Sequence, residues 1–101
     1  MQTLCILGST GSIGKSTLDV VRLHPEKFDI VSLSAHSSVE LMFDQCVEFK
    51  PSKVVMVSKQ HAKALISKLK AANLNDIDVT SGTLALENIA QDDATDTVMA
   101  A

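Results

Sequence analysis

The feature that most constrains the fold is a glycine-rich stretch that runs from Gly8 to Thr17. An apolar run, Leu4–Leu7, precedes it, and an amphipathic run, Leu18–Leu23, follows it. This order is typical of a buried strand, a tight turn and a helix. Glycines let the backbone turn at positive φ and let an anion approach bare N–H groups at the start of a helix. The stretch therefore predicts a phosphate or pyrophosphate site at one edge of an α/β sheet.

Apolar runs alternate with helical patterns along the whole chain. The predicted strands are Thr3–Leu7, Asp29–Ala35, Lys53–Val57, Ile77–Thr80 and a run from Thr97 to Ala101. The predicted helices are Ser12–His24, Ser38–Phe49, Lys59–Ala72 and Thr83–Ala90. This rhythm predicts the α/β class, as a doubly wound (Rossmann-like) parallel sheet with helices on both faces, in one domain over residues 1–101. Because the last strand runs to the final residue, we expect a fragment whose sheet is truncated at its C-terminal end.

Helical spacing also predicts which side chains face the core. The expected inward residues are Val39, Met42, Cys46 and Phe49 on the second helix, Ala62, Leu65, Ile66 and Leu69 on the third, and Leu84, Leu86 and Ile89 on the fourth. Cys5 and Cys46 are expected to be small core residues in a reducing compartment. The run Lys53–Val57 is expected to be buried on both faces of the sheet.

Composition excludes several classes of protein. The net charge is −3, and the chain has no tryptophan or tyrosine, so neither a basic groove nor a base-stacking platform for nucleic acid is expected. No segment approaches the length of a membrane span. The amino terminus lacks a positively charged region, so no secretory signal is expected.

The glycine stretch is compatible with three interpretations. A P-loop needs a glycine, four further residues and then Gly-Lys-Ser/Thr. Gly14-Lys15-Ser16 supplies the end of that motif, but Ser9 stands where its first glycine belongs. No apolar strand ends in the aspartate that a P-loop places near Mg²⁺. The second interpretation is a glycine-rich turn that binds no ligand.

The third interpretation is a dinucleotide site with the spacing Gly-x-x-Gly-x-x-Gly. In it Gly8 ends the strand, Gly11 lets a pyrophosphate approach, and Gly14 allows the helix to pack closely on the strand. The backbone N–H groups expected at the pyrophosphate are those of Thr10, Gly11, Ser12 and Ile13, with the hydroxyls of Thr10 and Ser12 as extra donors.

The end of the second strand indicates which dinucleotide is bound. NAD-binding chains usually carry an acidic residue there for the ribose 2′-hydroxyl. This chain has His36, Ser37 and Ser38 instead, with no acid. Two hydroxyls and an imidazole at the start of a helix suit a 2′-phosphate. The residues therefore favour NADP over NAD.

The remaining polar residues predict no catalytic or metal site within this chain. His24, His36 and His61 have no partners at metal-ligand spacing. A solvated loop is expected for Asp92, Asp93 and Asp96. Asp44 and Glu48 stand four residues apart on one helix, where like charges repel weakly.

The stretch Leu4–Val21 closely resembles the opening of the 1-deoxy-D-xylulose 5-phosphate reductoisomerase family. His24–Phe28 resembles the end of that family's first helix, and Asp96–Ala101 resembles a strand leading into its next segment. Two alternatives stay open. One is another NADP-dependent oxidoreductase with this glycine spacing, such as a semialdehyde dehydrogenase. The other is a P-loop-like nucleotide-binding module.

The resemblance implies an enzyme that isomerises and reduces 1-deoxy-D-xylulose 5-phosphate to 2-C-methyl-D-erythritol 4-phosphate in non-mevalonate isoprenoid biosynthesis. It implies NADPH as hydride donor, Mg²⁺ or Mn²⁺ to hold the phosphorylated sugar substrate, and a cytoplasmic homodimer. The family's metal-binding Asp and Glu and its substrate-phosphate residues lie beyond Ala101. The fragment is therefore expected to bind cofactor without turnover.

The resemblance also implies roles for residues of this chain. Thr10, Gly11, Ser12 and Ile13 match the family's pyrophosphate-binding turn. His36, Ser37 and Ser38 fall where many members have Gly, then Lys, Arg or Ser, then Asn. This departure replaces a glycine that can adopt positive φ with histidine, and an asparagine with the shorter donor serine.

Overall fold

The computed structural model describes all 101 residues and contains five strands and four helices. In chain order these are β1 (Gln2–Leu7), α1 (Ser12–Leu23), β2 (Phe28–Ala35), α2 (Val39–Phe49), β3 (Lys53–Met56), α3 (Lys59–Ala71), β4 (Asp78–Ser81), α4 (Thr83–Ala90) and β5 (Thr97–Ala100). Each element lies within one residue of its predicted bounds at either end. Strict alternation of strand and helix confirms the predicted α/β class.

The five strands form one parallel sheet in the order β4-β3-β2-β1-β5. The chain therefore winds from β1 to β4 in one direction and then returns to place β5 on the other side of β1. This reversal makes the carboxyl end of β1 the switch point of the sheet, where open α/β folds leave a crevice for ligands. The glycine-rich stretch begins there.

The two faces of the sheet are covered unequally. A core of 14 buried residues lies between the sheet and α1, α2 and α3, and includes Leu18, Met42 and Leu65. On the opposite face the buried cluster has only 3 residues, Cys5, Val55 and Ile89, under α4. Helices on both faces confirm the doubly wound prediction, and most of the hydrophobic stabilisation lies on the face of α1, α2 and α3.

Strand β3 and the cysteines lie in the core, as predicted. Val54, Val55 and Met56 are fully buried, because helices cover both faces of this strand. Cys5 and Cys46 are buried and unpaired. Burial raises the pKa of the Cys46 thiol to about 12. Burial, aided by Asp92, raises that of Cys5 to about 11, so neither thiol is a reactive nucleophile.

The prediction that Ile66 and Leu84 face the core is wrong. Ile66 is 45% exposed, because the buried stripe of α3 runs through Ala62, Leu65 and Leu69, and Ile66 lies about 100° round the helix from Leu65. Leu84 is 70% exposed. Helix α4 packs through Ala85, Leu86 and Ile89 instead.

Candidate functional site

The turn between β1 and α1 has a single residue at positive φ, Gly8, with φ of +73°. The Gly11 N–H donates to the Gly8 carbonyl oxygen at 3.1 Å and closes the turn. Gly11 is the N-cap of α1, with φ of −77°, and Gly14 lies within the helix. The expectation that all three glycines serve the turn through positive φ is therefore wrong for Gly11 and Gly14.

Gly14 is required by packing. A Cβ atom at this position would lie 2.4 Å from the Gly8 carbonyl oxygen and 2.7 Å from the Ser9 Cα. These neighbours are backbone atoms, which cannot move aside as a flexible side chain can. The first turn of α1 therefore rests directly on the turn that follows β1, as the sequence predicted for this glycine.

The start of α1 presents four backbone N–H groups without a partner in the chain. The N-cap is a glycine, so no side chain caps the helix. No hydrogen bond is donated by the backbone N–H groups of Thr10, Ser12, Ile13 and Gly14. Three of the four predicted amides are thus available to a ligand, and Gly14, a buried residue, adds a fourth unpaired N–H. The N–H of Gly11 is not available, because it donates to Gly8. Orphan N–H groups and the helix dipole together favour an anion at this position.

A buried polar network that no sequence pattern predicted holds the turn in place. Ser9 is fully buried, and its hydroxyl donates to the Gln45 Oε1 at 2.6 Å. The Gln45 Nε2 donates to the Ser9 carbonyl oxygen at 2.9 Å. The Ser34 side chain accepts from the Gly8 N–H at 3.1 Å. One signal was present, since Gln45 stands between Met42 and Cys46 on the apolar face of its helix.

The loop between β2 and α2 lies beside this turn, at the carboxyl edge of the same sheet. His36 and Ser38 are exposed, Ser37 is half-buried, and Ser38 is the N-cap of α2 without a side-chain cap bond. His36 is not among the residues at positive φ, so histidine replaces glycine here without backbone strain. Two hydroxyls, an imidazole and the uncapped start of a second helix are therefore open to solvent at this point.

The residues that a P-loop would use are engaged elsewhere. The Ser16 hydroxyl donates to the Ser12 carbonyl oxygen at 3.1 Å, one turn back in the helix. Lys15 lies in a groove between α1 and α2 that is also lined by Asp19, Arg22 and Asp44. Ser9 is buried in the polar network. This geometry disfavours the P-loop interpretation.

The acidic residues form contacts at the opposite edge of the sheet. Asp92 pairs with Lys53 at 2.5 Å, and Asp96 accepts from the Thr3 N–H at 2.9 Å. The Lys53 ammonium lowers the pKa of Asp92, and the Thr3 N–H lowers that of Asp96. Asp93 and Asp96 are exposed, as expected for a solvated loop, and the contacts of Asp92 and Asp96 tie the chain before β5 to β3 and β1.

Glu48 also differs from expectation. The sequence predicted a weak repulsion between it and Asp44. In the structure Glu48 accepts two hydrogen bonds from the Arg22 guanidinium, at 2.5 and 2.7 Å, and this cation lowers its pKa. The long Arg22 side chain reaches across from α1, a contact that spacing along α2 cannot predict.

The structure brings together no group of three His, Cys, Asp or Glu side chains that could hold a metal ion. No helix has both the length and the apolar character needed to cross a membrane. The candidate site consists of the two loops at the carboxyl edge of the sheet.

A family model described as 1-deoxy-D-xylulose 5-phosphate reductoisomerase matches residues 4–101. The chain belongs to this family. It is 61% identical over 97 residues to the 1-deoxy-D-xylulose 5-phosphate reductoisomerase of Colwellia psychrerythraea, covering 96% of this chain and 24% of that protein. The enzyme of the same name from Cupriavidus metallidurans is 50% identical over 101 residues, covering 100% of this chain and 26% of that protein.

Solved structures of reductoisomerases have the same fold. A DOX-P reductoisomerase in complex with NADPH, fosmidomycin and magnesium superposes with a TM-score of 0.91 at 40% identity, over 97% of this chain and 24% of that one. The Zymomonas mobilis reductoisomerase in complex with NADPH gives a TM-score of 0.80 at 26% identity, over 88% of this chain and 23% of that one. The chain thus spans about a quarter of the length of these relatives.

Membership of the reductoisomerase family confirms the resemblance seen in the sequence. It also excludes the two alternatives, a semialdehyde dehydrogenase and a P-loop module, for which neither the comparisons nor the turn geometry gives support. The residues assigned to the cofactor stay predictions.

Proposed function

We propose that this chain is the NADPH-binding part of a 1-deoxy-D-xylulose 5-phosphate reductoisomerase. The observation that carries the proposal is the row of unpaired N–H groups from Thr10, Ser12, Ile13 and Gly14, at the switch point of the parallel sheet. These donors converge on the uncapped start of α1, where a pyrophosphate would accept hydrogen bonds and meet the positive end of the helix dipole.

The glycine turn would act by fixing the cofactor backbone. Gly11 has no side chain to keep a pyrophosphate away from the amides, and the nearest atom to a Cβ there is the Gly8 oxygen at 3.5 Å. The Ile13 side chain is 66% exposed at the start of α1, and a bound cofactor would cover it. NADPH would supply the hydride when bound. The residues of this chain would hold its pyrophosphate and orient the cofactor.

The loop His36–Ser38 would read the 2′-phosphate that distinguishes NADPH from NADH. The hydroxyls of half-buried Ser37 and exposed Ser38, and the exposed His36 imidazole, can donate hydrogen bonds to phosphate oxygens. No acidic side chain belongs to this loop, and an acid there would repel the phosphate.

The whole reaction is proposed from the relatives that carry this domain. We infer that the complete protein isomerises and reduces 1-deoxy-D-xylulose 5-phosphate to 2-C-methyl-D-erythritol 4-phosphate with NADPH, as a step of isoprenoid synthesis. The divalent ion, Mg²⁺ or Mn²⁺, does not fit the residues of this chain, since no three candidate ligands meet here. We propose that ligands outside these residues hold it. A cytoplasmic homodimer is proposed on the same family likeness, and the two buried thiols are compatible with a reducing compartment.

The proposal is tested by isothermal titration of the full protein that carries this sequence with NADPH and with NADH. We expect NADPH to bind more tightly. The Ser38→Asp variant places a negative charge beside the 2′-phosphate and should weaken NADPH binding by roughly tenfold or more, with little change for NADH.

Ser52→Asp is the matched control, because Ser52 is exposed at the opposite edge of the sheet and gains the same charge. It should leave both affinities unchanged. Tighter binding of NADH than of NADPH by the unsubstituted protein, or no binding of either, would contradict the proposed function.

A further inference from the structure

Helix α2 buries a glutamine whose only partners lie on the glycine turn. Gln45 is 7% exposed and lies between Met42 and Cys46 on the face of α2 that packs against the core. Glutamine is rarely buried unless both ends of its carboxamide are hydrogen-bonded, because the loss of water is otherwise uncompensated. Here both ends are satisfied by a single residue, Ser9.

The contacts fix Ser9 at every polar atom. Its carbonyl oxygen accepts from the Gln45 Nε2 at 2.9 Å, and its hydroxyl donates to the Gln45 Oε1 at 2.6 Å. Its N–H donates to the Ser34 carbonyl oxygen at 2.8 Å. On the other side, Gly14 sets the start of α1 directly on the Ser9 backbone. Ser9 is therefore clamped between α1, β2 and α2.

These contacts of Ser9 determine the direction of the Thr10 N–H. The Ser9 carbonyl and the Thr10 N–H belong to one peptide unit, and no peptide bond in the chain is cis. In a trans peptide the N–H points away from the C=O. Because the Gln45 carboxamide holds the carbonyl towards the interior, the Thr10 N–H must point outwards. It has no partner within the chain.

We propose that Gln45 is a positioning residue for the cofactor, which acts through the Ser9 carbonyl to aim the Thr10 N–H at the pyrophosphate. The inference rests on the proposed NADPH-binding function. Gln45 does not touch the cofactor. Without its carboxamide the buried Ser9 carbonyl has no donor, and the Ser9–Thr10 peptide is free to rotate towards one.

The experiment compares Gln45→Leu with Met42→Ala in the full protein, at a temperature where both variants are folded by circular dichroism. Met42 is fully buried on the same helix but belongs to the apolar core, so its truncation destabilises the fold without unpairing Ser9. We expect Gln45→Leu to raise the Kd for NADPH by about tenfold, the effect of one unpaired buried carbonyl group. Met42→Ala should leave that Kd within about twofold of the unsubstituted protein, although it lowers the Tm.

A second ligand separates positioning from general damage to the site. Adenosine 2′-monophosphate carries the phosphate proposed for the His36–Ser38 loop but no pyrophosphate. Gln45→Leu should weaken its binding less than about twofold, since the Thr10 N–H is not used. Equal losses for both ligands, or an unchanged Kd for NADPH, would overturn the role of Gln45. Failure of the unsubstituted protein to bind NADPH would instead overturn the proposed function itself.

Discussion

The two edges of the sheet differ in whether their polar groups have hydrogen-bond partners within the chain. At the carboxyl edge the starts of α1 and α2 lack side-chain caps, and the amides of Thr10, Ser12, Ile13 and Gly14 have no partner. At the amino edge several polar side chains have partners within the chain, as Lys53 has in Asp92 and Asp96 has in the Thr3 N–H.

This difference predicts that the carboxyl edge contributes to ligand binding and that the amino edge contributes to stability. Unpaired donors are tolerated at a solvent-exposed edge because water satisfies them, and a ligand anion can replace that water. Paired side chains at the other edge leave nothing for a ligand to replace. Substitutions at the carboxyl edge should therefore change cofactor affinity, whereas substitutions at the amino edge should change only the free energy of unfolding.

The largest effect is expected for Gly14→Ala, because its Cβ would meet backbone atoms at 2.4 to 2.8 Å. The strain should lower the free energy of unfolding by about 3 kcal/mol and should distort the turn enough to abolish NADPH binding. Gly11→Ala is the matched control. Its nearest contact is 3.5 Å, at a φ of −77° that alanine accepts.

The free energy of unfolding of Gly11→Ala should therefore lie within about 1 kcal/mol of that of the unsubstituted protein. Its methyl group should obstruct the pyrophosphate and so weaken NADPH binding. Denaturant unfolding and calorimetric titration of both variants provide the measurements. Equal stability of the two variants would show that the contact at Gly14 does not constrain the turn.

A smaller effect is expected at the amino edge for Asp96→Ala, which removes the acceptor of the Thr3 N–H. The Tm should fall at neutral pH, while the Kd for NADPH stays unchanged. Because the Thr3 N–H lowers the pKa of Asp96, its contribution is present above the unfolded pKa of about 3.9 and is lost as the pH falls through the lower folded value.

The difference in Tm between the two proteins should accordingly shrink as the pH is lowered from neutral to strongly acidic. Asp93→Ala serves as the control, since Asp93 is exposed and has no hydrogen bond or ion pair. A loss of NADPH affinity in Asp96→Ala would break the division between the two edges.

The smallest effect is expected for Glu48→Gln, which removes the ion pair that joins the ends of α1 and α2. Glu48 is 42% exposed and Arg22 is 41% exposed, so solvent screens the pair, and its loss should reduce the free energy of unfolding by less than about 1 kcal/mol. The reduction should disappear at about 1 M salt.

Asp44→Asn removes a carboxylate four residues away on the same helix that has no ion-pair partner, and it should leave stability unchanged. Urea unfolding at low and high salt measures both variants. A salt-independent loss in Glu48→Gln would mean that its packing, not its charge, matters.

Periodicity predicted the fold well because each strand and helix here follows its own local pattern. Leu4–Leu7 and the valines of β3 read as buried strands, and the stripe Ala62, Leu65 and Leu69 reads as one helix face. Ile66 and Leu84 were predicted wrongly because a pattern gives the apolar side of a helix but not which of its apolar residues the neighbouring elements cover.

The candidate site was predicted in part. The glycine spacing located the turn and correctly assigned close packing to Gly14. It could not show that the Gly11 amide is used within the turn, because that hydrogen bond depends on the φ of Gly8 and the path of the chain between them. The contacts of Gln45 with Ser9 join residues 36 positions apart, and no local pattern reports such a contact.

Local sequence patterns specify the alternation of strands and helices, the turn that precedes α1, and the absence of an acid after β2. These are properties of neighbouring residues, so local sterics and periodicity are enough to specify them. Which amides remain unpaired, and which way the Thr10 N–H points, follow from tertiary packing. That direction depends on a carboxamide from another helix, which reaches the turn only once both helices have packed on the same face of the sheet.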